Sequence, residues 1–312
     1  MHQKSEIGDQ STREGDDVAI VILTFNQRVK TLECLASLLA SEDKTPPIVL
    51  WDNGSTDDTA AAVRQDFPTV IVHEHPVNIG VAAGRDDAAE VAIKHLAPEY
   101  LLFLDNDLVI EPGFVAALRR PFDQVAKLGQ TQAKLRFCHD RQRLNDAGGC
   151  RISFVWGSTV PVGYGELDKG QYDVPKDCVA CGGAMMVRRD VFEELGGFDR
   201  RFGLCGPEDI DFSLRLIKAG YRALYIPAAV AYHEAQHTYG KDYDPDYARL
   251  KARNWVRLMC RHASLIQIVG FCLLGLPYRA VRLGFREVRR GNLRALRGAI
   301  RGIIEHQSSL KP

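Results

Sequence analysis

The chain lacks an uncharged apolar run of the length that a bilayer-crossing helix needs. Ala263 to Tyr278 (ASLIQIVGFCLLGLPY) carries no formal charge for sixteen residues, short of the ~20 that a spanning helix needs. Met1 to Gly15 has no apolar core, which excludes a signal peptide and predicts a disordered N-terminus. The eight cysteines follow no disulfide spacing, and Cys34, Cys260 and Cys272 sit within apolar runs, as in a protein of the reducing cytosol. Cys178 and Cys181 form a lone C-x-x-C with no second pair to complete a zinc site. There is no G-x-G-x-x-G after the first predicted strand and no G-x-x-x-x-G-K-[ST], so a Rossmann dehydrogenase and a P-loop NTPase are both excluded.

Net charge is absent as well, but its zero conceals a division. From Arg249 onward there are fourteen Lys and Arg against Glu287 and Glu305, a net of +12, which leaves the preceding residues with 26 basic against 38 acidic groups, a net of −12. Such a split predicts two surfaces with different partners.

What is present is organised around Tyr100-Leu-Leu-Phe-Leu-Asp-Asn-Asp107. Five apolar or aromatic residues in succession predict a strand buried on both faces, ending on Asp105, Asn106 and Asp107. The carboxyl end of a buried parallel strand is where open α/β sheets bind ligands. Two carboxylates at this spacing can hold a hard divalent cation for a diphosphate; a solvated turn would read the same way.

Three further strands precede it: Val18 to Thr24, Ile48 to Asp52 and Val70 to Glu74. Helices are predicted from Arg28 to Leu39, from a cap at Thr56, and through His95. This alternation predicts an α/β fold with a doubly wound, mostly parallel sheet. Thr24, Phe25 and Asn26 end the first strand with a hydroxyl, a ring and an amide. Asp52 and Asn53 end the second, and Asn78, Gly80, Gly84 and Arg85 bring a flexible backbone and a cation close to a phosphate position.

In this order and spacing, Val21-Ile-Leu-Thr-Phe-Asn26, Asp52-Asn-Gly-Ser55, Asn78-Ile-Gly80 and Asp105-Asn-Asp107 resemble the nucleotide half of the inverting family 2 glycosyltransferases, rhamnosyltransferase-like members among them. The resemblance implies a GT-A fold and a nucleotide-diphosphate sugar donor. It implies that Thr24, Asp52 and Phe25 contact base and ribose, that Arg85 lies near the diphosphate, and that Asp107, with Asp105 behind it, serves metal and ribose. Gly84-Arg-Asp86 stands where Ala-Arg-Asn is common, which leaves Asp86 without a role from the resemblance.

Residues 112–175 read as a helix from Pro112 to Arg120, a strand from Gln130 to Phe137 and a glycine-rich stretch with Trp156 and Tyr164, either an acceptor-side insertion or a loop. Gly182 and Gly183 precede an apolar strand, where they would admit a ligand to the backbone or make a bulge. Asp190 is predicted to cap a short helix ending at Gly196-Gly197. Gly197-Phe198-Asp199 followed by Glu208-Asp209-Ile210-Asp211 continues the resemblance. Acids in a first helical turn are favoured by the helix dipole, but the resemblance makes Asp209 the catalytic base, Glu208 its assistant or an acceptor ligand, and Asp211 structural. By the same resemblance His233, with His237 in reserve, completes a metal site for Mn2+ or Mg2+.

Arginines fence the apolar run, with Arg253, Arg257 and Arg261 before it and Arg279, Arg282, Arg286, Arg289 and Arg290 after it. This pattern predicts an interfacial helix on anionic lipid. A nucleic-acid partner is not expected, since only Trp255 and Phe285 interleave the basic residues.

The expected organisation is therefore a disordered 1–15, a GT-A domain over 16–248 (nucleotide half 16–111, acceptor half 112–248) and a membrane-associating tail over 249–312. The expected activity is non-processive, metal-dependent, inverting transfer of a hexose or deoxyhexose from a UDP-, dTDP- or GDP-linked donor to a glycan or lipid-linked acceptor of cell-envelope polysaccharide synthesis, at the cytoplasmic membrane face. A nucleotidyltransferase would need a glycine-rich phosphate loop where Thr24-Phe-Asn-Gln stands. A processive synthase would need several spans and Gln-x-x-Arg-Trp. An inactive nucleotide-sugar-binding or scaffold subunit would have no use for Asp107, Asp209 and His233 together.

Overall fold

The computed structural model describes residues 17–42, 44–180, 182–234, 245–289 and 293–308. The expected disordered stretch 1–15, Cys181 and His237 lie outside them. Strands and helices alternate through β1 (Val18–Thr24), α1 (Arg28–Ser41), β2 (Ile48–Asp52), α2 (Thr59–Asp66), β3 (Ile71–Glu74), α3 (Val81–Leu96) and β4 (Tyr100–Asp105). The short β5 (Leu108–Ile110), α4 (Phe114–Arg119) and α5 (Pro121–Gln124) lead to the long β6 (Leu128–Phe137) and β7 (Leu144–Asp146). Then come the hairpin β8 (Cys150–Ser153) and β9 (Ser158–Pro161), β10 (Lys176–Asp177), β11 (Ala184–Arg188), α6 (Arg189–Glu194), α7 (Glu208–Lys218) and β12 (Arg222–His233). The C-terminal part is helical: α8 (Pro245–His262), α9 (Leu265–Gly270), α10 (Leu276–Arg289) and α11 (Arg294–Ser308).

Among the described residues the main sheet has ten strands, in the order β10-β12-β6-β11-β4-β1-β2-β3, with β5 on β12 and β7 on β6. The expectation of a mostly parallel sheet needs correction to a mixed one. β1 to β4 are parallel neighbours and β6 runs parallel to β12, but β11 is antiparallel to both β4 and β6. A strand entering from the acceptor half seals the edge that the parallel half leaves open. Along β1, Val18, Ile20 and Ile22 enter one core cluster while Ala19 and Val21 enter that on the opposite face; β4 divides in the same way. This double burial is why both strands read as unbroken apolar runs.

Register aligns the chemistry. Thr24 pairs with Asp52, Leu23 with Asp105 and Asp52 with Glu74, so three strands end level on one edge. β12 brings His233 opposite Leu108, next to Asp107. Its pairing with β6 jumps from Ile226–Ala133 to Val230–Lys134, a bulge that contains Pro227, a residue unable to donate a ladder hydrogen bond.

Two predicted caps are corrected. α2 starts at Thr59, not Thr56: Asp57 takes Thr59 Oγ1 at 2.5 Å and Arg28 N at 3.0 Å, holding the loop that precedes the helix. Asp190 lies inside the first turn of α6, clamped by Arg188 at 2.8 and 2.6 Å.

The expected boundary at 248/249 falls within α8, which is bound to the domain before it. Asn254 is fully buried and donates to the carbonyls of Phe202 (2.7 Å) and Cys205. The fence of Arg253, Arg257 and Arg261 is turned inward: Arg253 and Arg257 donate to backbone carbonyls at 201–202, and Arg261 binds Asp199 at 3.0 Å and Asp211 at 2.8 Å. Asp211, fully buried, also holds Arg215 and His262, each at 2.8 Å. A third core cluster joins Ile210 of α7, Cys150 and Phe154 of the β8–β9 hairpin, Leu258 and Met259 of α8, and Phe271. Finally, α11 folds back on α8, where a Cβ on Gly298 or Gly302 would strike the Pro245 or Arg249 carbonyl at 2.1 or 2.0 Å.

Burial opposes ionisation of Asp211, but the bonds from His262 and Arg215 and the charge of Arg261 outweigh it and hold the carboxyl below its usual range. Asp211→Ala leaves two guanidinium groups and an imidazole around an empty position and should cost about 3–5 kcal/mol, read as a lower denaturation midpoint. Because the folded pKa is depressed, this contribution is present above about pH 4 and is lost as the pH falls through the folded value.

Candidate active site

The loops after β1, β2 and β3 fix one another before any ligand is considered. Asn26, in the left-handed region at φ 52°, accepts Thr56 N at 2.8 Å through its side chain while its own N–H goes to Ser55 Oγ at 2.9 Å. Asp52 is buried and accepts Ser55 N at 2.8 Å, closing the turn. Asn53 spans the gap to the next loop, donating to Asn78 Oδ1 (2.9 Å) and the Gly80 carbonyl (3.2 Å) and accepting Ile79 N (3.1 Å). Gly80 has φ +93°, and a Cβ there would meet the Gly203 carbonyl at 2.3 Å, so only glycine fits.

Thr24 and Asn106 lie within the protein. Thr24 Oγ1 is 2.8 Å from Thr31 Oγ1, and Asn106 Nδ2 donates to both hydroxyls, at 3.2 and 2.9 Å. Their side chains tie β1, α1 and β4 together. Phe25, 40% exposed, stands at the rim.

Beyond this rim the charged residues converge. Arg85 of α3 is buried and donates to Asp105 at 2.6 Å and to Glu208 at 3.1 Å. Asp209, next in α7, accepts the N–H of Gly182 through one oxygen and that of Ile210 at 2.7 Å through the other. Gly183 brings the backbone against Asp105, whose N–H donates to the Gly183 carbonyl at 2.8 Å. His233 Nε2 lies 3.2 Å from Asp107 Oδ1. Asp105, Asp107 and His233 each offer one ligand atom, all within 4.8 Å of one another. The structure thus brings Arg85, Asp105, Asp107, Gly182, Gly183, Glu208, Asp209 and His233 into one contact network, with Asp52, Asn53, Asn78 and Gly80 in the adjoining loops.

Electrostatics follow from counting. One guanidinium faces Asp105, Glu208 and Asp209, with Asp107 beyond, so carboxylates outnumber the buried cation. Burial and then the charge of Asp209 push Glu208 up to about 8, against the opposing pull of Arg85. Asp209 is also raised, by burial, with Arg85 and two backbone N–H groups opposing it. For His233, burial favours the neutral ring, but the bond and charge of Asp107 prevail and raise its pKa. A site with two carboxylates and an imidazole close together, and an excess of negative charge, suits a divalent cation with oxygen and nitrogen ligands.

Sequence reasoning missed two roles. Asn145 Oδ1 lies 3.0 Å from His233 Nδ1, a contact that fixes the ring and directs Nε2 toward Asp107 and the ligand cluster. Its sequence signal was the Asn-Asp before two glycines: Asp146 accepts the N–H groups of Gly148 (2.9 Å) and Gly149 (2.7 Å), fixing the turn that presents Asn145. Asp86, left without a role, accepts Phe198 N at 2.8 Å and Arg200 Nε at 3.3 Å, and so fastens α3 to the Gly197-Phe198-Asp199 turn.

Comparison with known proteins agrees with this geometry. Residues 15–256 match the family model described as "Glycosyltransferase like family 2". The chain is 26% identical over 306 residues to the N-acetylglucosaminyl-diphospho-decaprenol L-rhamnosyltransferase of Mycobacterium tuberculosis, covering 91% of this chain and 99% of that protein. Among solved structures it is similar to the mannosyltransferase PcManGT of Pyrobaculum calidifontis in complex with GDP-Man and Mn2+ (TM-score 0.55, 16% identity, 95% of this chain and 88% of that one). It is also similar to GalNAc-T7 with UDP, GalNAc and Mn2+ (TM-score 0.57, 18% identity, 78% and 47%).

The raised pKa of Glu208 has a thermodynamic consequence. Its folded value near 8 lies above the ~4.3 of an unfolded glutamate, so the folded state binds the extra proton between these values and stability falls as pH rises through that window. Glu208→Gln should flatten the decline, seen as a shallower slope of melting temperature against pH from 5 to 9 in the protein without ligand.

Proposed function

Because the chain belongs to glycosyltransferase family 2 and is a glycosyltransferase of the GT-A fold, we propose that it moves a sugar from a nucleotide-diphosphate donor to a hydroxyl of a lipid-linked acceptor with inversion at the anomeric carbon. The observation that carries this reading is the contact network from His233 and Asp107 through Asp105 and Arg85 to Glu208 and Asp209. Asp107 and His233, with Asp105 beside them, would hold Mn2+ or Mg2+; bound there, the cation supplies Lewis-acid neutralisation of charge on the departing diphosphate.

The protein's own groups do the rest. Asp209 takes the proton of the acceptor hydroxyl as that oxygen bonds to the anomeric carbon and the bond to the diphosphate breaks. Its raised pKa makes it a better base than an exposed aspartate. Glu208 keeps a proton near neutral pH, which limits repulsion beside the working carboxylate and leaves Arg85 to face Asp105 and the diphosphate. Asn53, Asn78 and Gly80 set the loop toward the donor, and Phe25, exposed at the rim, faces its base and ribose end above the buried Thr24 and Asp52 that hold the strand ends. The decaprenol-linked acceptor in the mycobacterial relative's name and the exposed apolar helix together support a lipid-linked acceptor and attachment to the cytoplasmic membrane face. That relative's name also makes a deoxyhexose such as rhamnose the first donor sugar to try.

Two measurements test the proposal. In a thermal-shift panel of UDP-, dTDP- and GDP-sugars with and without Mn2+, the matching donor should raise the melting temperature only with the metal, and Asp107→Ala should abolish that increment. Asp209→Asn should retain the increment but lose transfer by about 10²–10⁴-fold. Ordinary turnover in that variant would place the base elsewhere.

A further inference from the structure

From Leu265 to Arg289 the chain is one helical run of 25 residues, apolar and long enough by length and composition to cross a membrane. Pro277 can give no bond to Leu273 and would crowd its carbonyl, and the turn Phe271–Gly275 widens to a π-type turn just ahead of it. Ile266, Val269, Leu273, Val281, Phe285 and Val288 follow one another at helical spacing and are all exposed, Ile266 at 83% and Val281 at 73%. Arg282 and Arg289, both exposed, lie along the adjacent side, while Arg286 between them pairs with the buried Glu287 at 3.5 Å. The apolar stripe is thus bordered by cations, as in helices that lie at the surface of an anionic bilayer.

The opposite side of the run is occupied by the β8–β9 hairpin. A Cβ at Gly275 would strike the Val155 carbonyl at 2.0 Å, and one at Gly270 would press on the Val155 side chain at 3.3 Å. Arg279 donates to the Gly157 carbonyl, and Tyr278 meets Trp156 edge-on with centroids 5.7 Å apart. These contacts span residues 270–279, the middle of the run. A helix crossing hydrocarbon needs ~20 residues free of such a partner, and lipid-exposed loops do not occur at that depth.

We propose that the run lies in the plane of an anionic bilayer surface, and that the hairpin tip at Val155, Trp156 and Gly157 is a second membrane contact contributed by the catalytic domain. Trp156 (48% exposed) and Tyr278 (51%) form an amphipathic aromatic pair suited to the headgroup level. The hairpin leads back to the site: Cys150 N donates to the Val179 carbonyl, three residues before the Gly182 that holds Asp209, and β7, which precedes β8, carries Asn145, the partner of His233. The tip therefore sets how high the active site stands above a lipid-anchored acceptor. This inference rests on the membrane reading above and adds to it an orientation and a contact.

The test uses the full chain with vesicles of phosphatidylglycerol and phosphatidylcholine, part of the lipid carrying bromine high on its acyl chains. Tryptophan fluorescence should be quenched on binding, and Trp156→Phe should remove most of the quenching while co-sedimentation persists. Alkaline carbonate should release the protein. Binding without any Trp156-dependent quenching would overturn the hairpin contact and leave the membrane reading standing; resistance to carbonate would overturn the in-plane orientation. Failure to sediment with any vesicle would overturn both readings, as would a dimer in sedimentation equilibrium whose formation protects Ile266 and Val281 from labelling as cysteines.

Discussion

The site is organised by one buried guanidinium that has more carboxylates than it can neutralise. Arg85 reaches Asp105 from β4 and Glu208 from α7, so a single side chain on α3 joins the parallel half of the sheet to α7. Were the charges balanced, the cluster would be a static buried ion pair. Because they are not, burial and the neighbouring Asp209 raise the proton affinity of Glu208, and the Asp105, Asp107 and His233 group suits a divalent cation. The scaffold follows from this requirement. Level strand ends place Asp52 and Asp105 on one edge, glycine at 80, 182 and 183 lets backbones close around them, and antiparallel β11 brings the acceptor-side elements within reach.

Much of this was legible in the sequence, for identifiable reasons. Strands buried on both faces give unbroken apolar runs, and β1, β2 and β4 were read within a residue or two of their ends. Asp105, Asp107 and His233 could be named because a strand ending in metal-ligand side chains has a local signature. The direction of β11 could not be read, since an apolar strand does not state whether its neighbours run with it or against it. Asn145 was hidden because its role depends on a partner 88 residues away. The tail was half legible: the apolar run was visible, but Arg253, Arg257 and Arg261 look the same in sequence whether they face lipid or turn inward, the first two to the carbonyls at 201–202 and the third to Asp199 and Asp211.

The third hydrophobic cluster explains why the tail cannot be described apart from the rest. Ile210, one residue beyond Asp209, packs with Phe154 of the hairpin, Leu258 of α8 and Phe271 of the exposed run. Asp211 then adds the charged clasp to Arg261 and His262 at the end of α8. The start of α7, the hairpin and the apolar helix therefore share one packed junction, and the geometry at Asp209 and the seating of the tail are set by the same side chains.

The bulge in β12 acts as a parity device. Between Ile226 and Val230 the strand carries three residues that have no counterpart on β6, and since successive side chains point to opposite faces, an odd insertion inverts the inside-outside phase of everything beyond it. The imidazole of residue 233 owes its direction to that count. Were the pairing to slip by a single residue in this segment, Tyr232 or Glu234 would face Asp107 in place of the imidazole, however well the remainder of the sheet were preserved.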